Sequence, residues 1–151
     1  IDVVINRGQF LAGNYEAVQN EIAGMKKAAG DKHLKVILET GELETSENIE
    51  KAANLALESG ADFIKTSTGK VPDGATPEAV FIMCKAIHTY HQKTGKLVGI
   101  KPSGGIRTLE QATLYYGIVS DILGQQWLSK DLFRIGASSL YDNLIKAYQK
   151  F

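Results

Sequence analysis

Short apolar runs alternate along this chain with longer stretches of helical periodicity. The apolar runs are rich in Val, Ile and Leu and have the length of buried strands. They span residues 1–6, 34–40, 61–67, 97–102 and 132–136. In the stretches that follow them, apolar side chains recur every three or four residues, which predicts amphipathic helices. This alternation predicts a parallel α/β fold built from five βα units.

Capping residues mark the predicted helix ends. Ser46 is a suitable N-cap for the second helix, and Thr76 followed by Pro77 is a typical start for the third. Thr108 and Gln111 have the spacing of a capping box at the start of the fourth helix. The last helix is predicted from about residue 139 to the C-terminus. Its inward residues are expected to be Leu140, Leu144, Ala147 and Tyr148.

Composition narrows the class of protein. A chain of 151 residues with 44% hydrophobic residues fits one globular domain with a substantial core. The 17 Lys and Arg residues are balanced by 17 Asp and Glu, which argues against a basic surface for nucleic acid or an anionic membrane. Its one cysteine, Cys84, cannot form an internal disulfide, and no long apolar run is present. We therefore expect a soluble, cytoplasmic protein.

Two architectures fit five βα units: a doubly wound open sheet and part of a closed barrel. The open sheet is disfavoured because residues 6–10 do not form the Gly-rich phosphate turn that such folds carry after their first strand. The Gly-rich turns lie instead late in the chain, at 103–105 and 136–139. Barrel enzymes commonly bind phosphate with the loops after strands 7 and 8. The chain is therefore predicted to be strands 4 to 8 of a TIM (β/α)8 barrel, with three units preceding it.

Charged side chains interrupt several of the predicted strands. Lys65 and Lys101 end consecutive apolar runs, where they either extend to solvent or share one cavity. In a shared cavity, like charge and burial would favour a neutral, nucleophilic amine on one lysine. Lys35 either adds to this positive field or points between sheet and helices. Asp2 needs a partner, so it belongs either to the site or to a structural ion pair.

Three Gly-rich or hydroxyl-rich turns are candidates for binding phosphate. Each is found most often as an ordinary tight turn, but three of them at one edge favour a phosphate site. They contain Gly69 and Lys70, Gly104 and Gly105, and Ser138 and Ser139. His33, His88 and His91 lie away from the strand ends, and no cluster has metal-ligand spacing. We therefore expect no metal and no cofactor.

Four segments together resemble the deoxyribose-phosphate aldolase family. They are 35–43 (KVILETGEL), 63–70 (FIKTSTGK), 100–108 (IKPSGGIRT) and 134–139 (RIGASS), and the similarity runs in order from Asp2 to the last helix. The resemblance implies a class I aldolase on a TIM barrel. Such an enzyme reversibly cleaves 2-deoxy-D-ribose 5-phosphate to acetaldehyde and D-glyceraldehyde 3-phosphate without a metal. It also suggests a homodimer or a higher homo-oligomer.

The resemblance assigns roles to individual residues. Lys65 matches the Schiff-base lysine, and Lys101 matches the second lysine that favours the neutral amine of the first. Asp2 matches the acid that acts with water in proton transfer, while Lys35 is expected to line the site. The positions that match phosphate-binding residues are Gly69, Lys70, Gly104, Gly105, Ser138 and Ser139. Two alternatives remain open: another Schiff-base barrel lyase, and a sugar-phosphate-binding or assembly fragment without turnover.

Overall fold

Strands and helices alternate along residues 1–149, the part of the chain that the computed structural model describes. The strands are β1 (Asp2–Val4), β2 (Lys35–Ile37), β3 (Phe63–Lys65) and β4 (Gly99–Lys101). The helices are α1 (Arg7–Leu11), α2 (Tyr15–Ala29), α3 (Ser46–Glu58), α4 (Pro77–Thr94), α5 (Leu109–Leu123) and α6 (Leu140–Tyr148). Short 3-10 helices occupy Thr40–Glu42 and Gln125–Trp127. No helix within residues 1–149 is both long and apolar enough to span a membrane.

The four strands form one parallel sheet in the order β1-β2-β3-β4, as the alternation of elements predicts. The central residue of each strand packs into the hydrophobic core that the helices cover. We call this side of the sheet the helix face; it consists of Val3, Val36, Ile64 and Ile100. Because side chains alternate along a strand, the flanking residues share the opposite side. We call that side the lysine face; it consists of Asp2, Val4, Lys35, Ile37, Phe63, Lys65, Gly99 and Lys101.

The fifth predicted strand, residues 132–136, does not form a regular strand. It runs parallel to β4 but makes only two isolated bridges, Ile100 with Phe133 and Ser103 with Gly136. The Ile100 N–H donates to the Leu132 carbonyl at 2.8 Å, and the Gly136 N–H donates to the Pro102 carbonyl at 2.8 Å. Between these bonds the ladder needs a donor at position 102, which proline lacks. Pro102 therefore interrupts the pairing.

The helix starts follow the predicted capping chemistry, with one exception. The Thr76 side chain accepts from the Ala79 N–H at the start of α4, and α5 carries the full capping box of Thr108 and Gln111. The prediction that Ser46 caps α3 is wrong: the Thr45 hydroxyl accepts from the Asn48 N–H, and Ser46 is the first helical residue. Both residues can cap, but only Thr45 has the extended backbone that an N-cap requires.

Helix α6 buries less of its surface than its sequence predicts. Leu140 is buried and Leu144 is packed against the core, as expected. Tyr148 is 80% exposed, so the prediction that it faces inward is wrong. It lies one or two turns from Tyr141 and Ile145, and these three side chains share an exposed face of the helix. The predicted continuation of the helix to residue 151 extends beyond the described residues.

Candidate active site

The two strand-end lysines lie side by side on the lysine face. The register of β3 and β4 aligns Lys65 with Lys101, and both follow a core isoleucine of their own strand. Lys65 is 8% exposed, whereas Lys101 is partly exposed. Burial lowers the pKa of Lys101 below the usual value for a lysine, and the positive charges of Lys35 and Lys65 lower it further. The predicted lysine pair is therefore assembled, and Lys101 is held closer to its neutral form than an ordinary lysine.

Asp2 and Lys35 form an ion pair on the same face. Lys35 Nζ donates to Asp2 Oδ1 at 2.9 Å, across neighbouring strands whose register aligns the two residues. Burial alone would raise the pKa of the Asp2 carboxyl, but the hydrogen bond and charge of Lys35, with the charges of Lys101 and Lys65, lower it. Lys35 thus points to the site and not between sheet and helices, and Asp2 is held as a carboxylate that can accept a proton.

Arg134 adds a further cation that sequence reasoning missed. Its guanidinium lies 4.7 Å from the centre of the Phe63 ring, and Lys35 Nζ lies 5.8 Å from the same ring. The charge of Arg134 also contributes to the lowered pKa of Lys101, after burial and the two lysines. Phe63 fits here because Gly99 has no side chain, since a Cβ at Gly99 would lie 2.3 Å from the ring. Arg134 and Gly136 are alternate residues of the last apolar run, so in an extended segment they lie on the same side. This alternation was the signal in the sequence from which Arg134 could have been found.

Buried hydrogen bonds connect the loops that follow β3 and β4. The Thr66 hydroxyl donates to the Ser103 carbonyl at 3.0 Å and accepts from the Ser103 N–H at 2.9 Å. The Ala75 N–H donates to the Gly104 carbonyl at 3.0 Å. Gly104 has a φ of +94° and lies so close to Gly74 that a Cβ would meet its Cα at 2.8 Å. These contacts hold the Gly104 turn at the same edge of the sheet as Lys65 and Lys101.

The six predicted phosphate-binding residues are distributed over three loops. Gly104 and Gly105 both have positive φ values and lie in the loop that precedes α5. Ser138 and Ser139 precede α6, and the Ser139 side chain makes no capping hydrogen bond. Gly69 also has a positive φ, and a Cβ there would meet nothing within 4 Å. Lys70 lines a cleft of about 480 Å³ with residues that follow β1, and Gly104 and Gly105 lie outside that cleft.

A buried carboxylate is the functional candidate that sequence reasoning passed over. Glu39 is 1% exposed and has the left-handed backbone φ of 56°, which is uncommon for a residue with a side chain. It follows β2, and both of its carboxylate oxygens accept hydrogen bonds from Thr68. In the sequence Glu39 looks like one of several acids after a strand, because burial and a positive φ are visible only in the structure.

The histidines and the cysteine lie outside this site. His91 Nδ1 is 3.0 Å from the Lys96 carbonyl, and its ring packs edge-on against Trp127. Burial raises the pKa of the Cys84 thiol to about 12, so this thiol is not a nucleophile near neutral pH. Within residues 1–149, no three His, Cys, Asp or Glu side chains converge as metal ligands would.

Comparison with known proteins identifies the family of the chain. Residues 1–139 match the model of the DeoC/LacD family aldolases. The chain is 49% identical over 144 residues to the deoxyribose-phosphate aldolase of Mus musculus and 47% identical to that of Homo sapiens. Both matches cover 95% of this chain and 45% of the relative, so the chain spans about half the length of these curated relatives.

A solved structure has the same fold. The tetrameric deoxyribose phosphate aldolase from Aeropyrum pernix superposes with a TM-score of 0.69 at 30% sequence identity. The match covers 99% of this chain and 55% of that one. Since the family model covers most of the chain and the lysine pair lies where parallel strands end, this chain belongs to the DeoC/LacD family of aldolases.

Proposed function

We propose that this chain carries the active site of a class I aldolase that cleaves 2-deoxy-D-ribose 5-phosphate reversibly to acetaldehyde and D-glyceraldehyde 3-phosphate. The observation that carries the proposal is the alignment of Lys65 with Lys101 at the carboxyl end of adjacent strands, on a face that also holds Asp2 and Lys35. The names of the mouse and human relatives support the choice of substrate.

Lys65 is the nucleophile in this mechanism. Its neutral amine attacks the C1 aldehyde carbon of the open-chain sugar, and loss of water forms a protonated imine. The C3 hydroxyl then gives up its proton, the C2–C3 bond breaks, and the electron pair of that bond moves toward the iminium to form an enamine. C3 becomes the aldehyde carbon of D-glyceraldehyde 3-phosphate. Protonation of the enamine at C2 and hydrolysis of the imine release acetaldehyde and restore Lys65.

The charged neighbours of Lys65 move protons in these steps. Asp2 is a carboxylate whose charge is held by Lys35, so it accepts protons directly or through a water molecule. Lys101 has a lowered pKa and therefore exchanges its proton closer to neutral pH than an ordinary lysine. Its position beside Lys65 also disfavours a state in which both amines are charged.

The three loops hold the substrate phosphate in this proposal. The backbone N–H groups of Gly105 and of the start of α6 can surround an anion, because Gly105 leaves room for close approach. Gly104 keeps this turn close to Gly74 and so helps to place it. Ser138 and Ser139 supply hydroxyl groups, and Gly69 and Lys70 supply a further N–H group and a cation. Phosphate binding at this edge would place C1 of the sugar toward Lys65.

The proposal extends to the protein around this site. The chain corresponds to strands 4 to 8 of a TIM barrel, with residues 1–151 forming the C-terminal part of one aldolase domain. We further propose a homo-oligomer, since the Aeropyrum pernix relative is tetrameric. A phosphorylated sugar does not cross membranes freely, so we assign the reaction to the cytoplasm. Because the proposed substrate is a deoxyribose phosphate, we assign the reaction to the breakdown of deoxyribonucleotides.

Covalent trapping tests the proposed chemistry. Borohydride reduction of the chain with acetaldehyde should leave an ethyl adduct on Lys65, detected by intact mass and peptide mapping. Lys65→Met should abolish that adduct while the circular dichroism spectrum stays unchanged. Lys85→Met, which removes an exposed lysine of α4, should retain the adduct. Phosphate binding without any Lys65 adduct would favour the alternative of a binding or assembly fragment without turnover.

A further inference from the structure

We infer that Glu39 is a positioning residue that holds the loop of Gly69 and Lys70 in its phosphate-binding conformation. This inference rests on the proposed function and deepens it by adding a residue that does not touch substrate. Glu39 is almost completely buried beside a loop whose exposed tip carries Gly69 and Lys70. A buried carboxylate without compensating partners is strongly unfavourable. The role of Glu39 is therefore inferred from the hydrogen bonds that it makes.

Both carboxylate oxygens of Glu39 are used on one loop residue. The Thr68 N–H donates to Oε1 at 3.0 Å, and the Thr68 hydroxyl donates to Oε2 at 2.5 Å. These two bonds fix the backbone and the side chain of Thr68 together. Glu39 makes these bonds from a left-handed backbone, a conformation that is unfavourable for a residue with a Cβ.

Thr68 in turn holds the tip of the loop through a second hydrogen bond. Its hydroxyl oxygen also accepts from the Lys70 N–H at 3.1 Å, which closes a tight turn around Gly69. Gly69 occupies the middle of the turn with a φ of +83° and open space on its side-chain side. The carboxylate, the threonine and the turn therefore form one connected unit whose open side faces solvent.

Arg7 balances the negative charge of this unit. Its Nη1 lies 4.0 Å from Glu39 Oε2 and donates a hydrogen bond to Glu42. All three residues line the same cleft as Lys70. The side chain of Glu42 is 41% exposed and shares no hydrogen bond with Thr68. Glu42 therefore carries the same charge as Glu39 but lacks its contact with the loop. This difference makes Glu42 a matched control.

The two possible roles of Glu39 predict opposite signs. If its carboxylate acts only through its charge, removing that charge from the vicinity of a bound anion would tighten phosphate binding. If it positions the loop, Glu39→Gln would weaken binding, since an amide offers one acceptor oxygen and turns a donor toward Thr68. We expect about a tenfold loss of phosphate affinity, as hydrogen bonds to charged groups usually contribute this much.

The test is a titration of the chain with inorganic phosphate, followed through the backbone amide NMR signals of Gly69, Gly104 and Gly105. Glu39→Gln and Thr68→Val should both weaken binding about tenfold, while Thr68→Ser should restore it. Glu42→Gln should leave the affinity within about twofold of the unchanged chain. Faster hydrogen exchange at the Thr68 amide in Glu39→Gln would show directly that the loop has loosened.

Several outcomes would overturn the inference. Tighter phosphate binding by Glu39→Gln would reduce Glu39 to a charge. Equal losses for Glu39→Gln and Glu42→Gln would show that the contact with Thr68 is not what supports binding. The inference would also be overturned if phosphate caused no shift of the Gly69 amide signal in the chain without substitutions. The acetaldehyde adduct on Lys65 needs no phosphate, so its presence in Glu39→Gln separates failure of this inference from failure of the proposed function. Should Glu39→Gln not fold, the Thr68→Val and Thr68→Ser pair carries the test.

Discussion

The two faces of the sheet use the same four strands for different purposes. On the helix face, Ile64 and Ile100 are completely buried in the hydrophobic core. One residue further along each strand, Lys65 and Lys101 carry charges on the lysine face. Because neighbouring residues of a strand point to opposite sides, three-residue strands suffice to separate stability from chemistry. The comparison teaches that substitutions one position apart should have effects of different kinds.

Lys101 on the lysine face should be chemically essential but unfavourable for stability. Lys101→Met should slow formation of the acetaldehyde adduct on Lys65 by about 10²–10⁴-fold, the usual range for losing a proton-transfer group. Burial and neighbouring cations lower the pKa of Lys101, so its charge opposes folding at neutral pH. The same variant should therefore raise the thermal midpoint, and this gain should shrink as the pH approaches 10.5. A lower midpoint together with unchanged adduct formation would contradict both halves of the comparison.

The helix face should show the reverse behaviour. Ile64→Ala should lower the free energy of unfolding by about 2–5 kcal/mol, because it leaves a cavity in a fully buried position. Urea denaturation measures this change, with Ile64→Val as a milder control that should lose about 0.5–1.5 kcal/mol. The folded fraction of Ile64→Ala should still form the Lys65 adduct. If either Ile64 variant kept its full stability but could not form the adduct, the two faces would not be separable.

The smallest expected effect concerns the ion pair of Asp2 and Lys35. The pKa of Asp2 is lower in the folded chain than its usual 3.8, so this group stabilises the fold fully above that pH. Its contribution is lost as the pH falls through the folded-state value. The difference in thermal midpoint between the unchanged chain and Asp2→Asn should thus be constant above pH 3.8 and shrink in more acid solution. If the difference in thermal midpoint grew on acidification, the pKa of Asp2 would not be lowered by folding, and the prediction would be wrong.

Much of the fold and the centre of the site were predictable because they depend on local patterns. The apolar runs place the four strands, and the capping box at Thr108 places the start of α5. The lysine pair was predictable for the same reason, since a charge at the end of a buried run is visible in the sequence. The fifth strand was overpredicted because its irregularity arises from Pro102, which directly follows the neighbouring strand β4.

The sequence by itself determined the alternation of strands and helices, the presence of a lysine near the end of two consecutive strands, and the family to which the chain belongs. These features depend on periodicity and on residue types that lie close together in the chain. Only the tertiary structure decided that Lys35 pairs with Asp2, that Arg134 joins the lysine face, and that Glu39 binds Thr68. Each of these contacts joins residues about 30 or more positions apart, and the sheet register and buried loop packing bring them together.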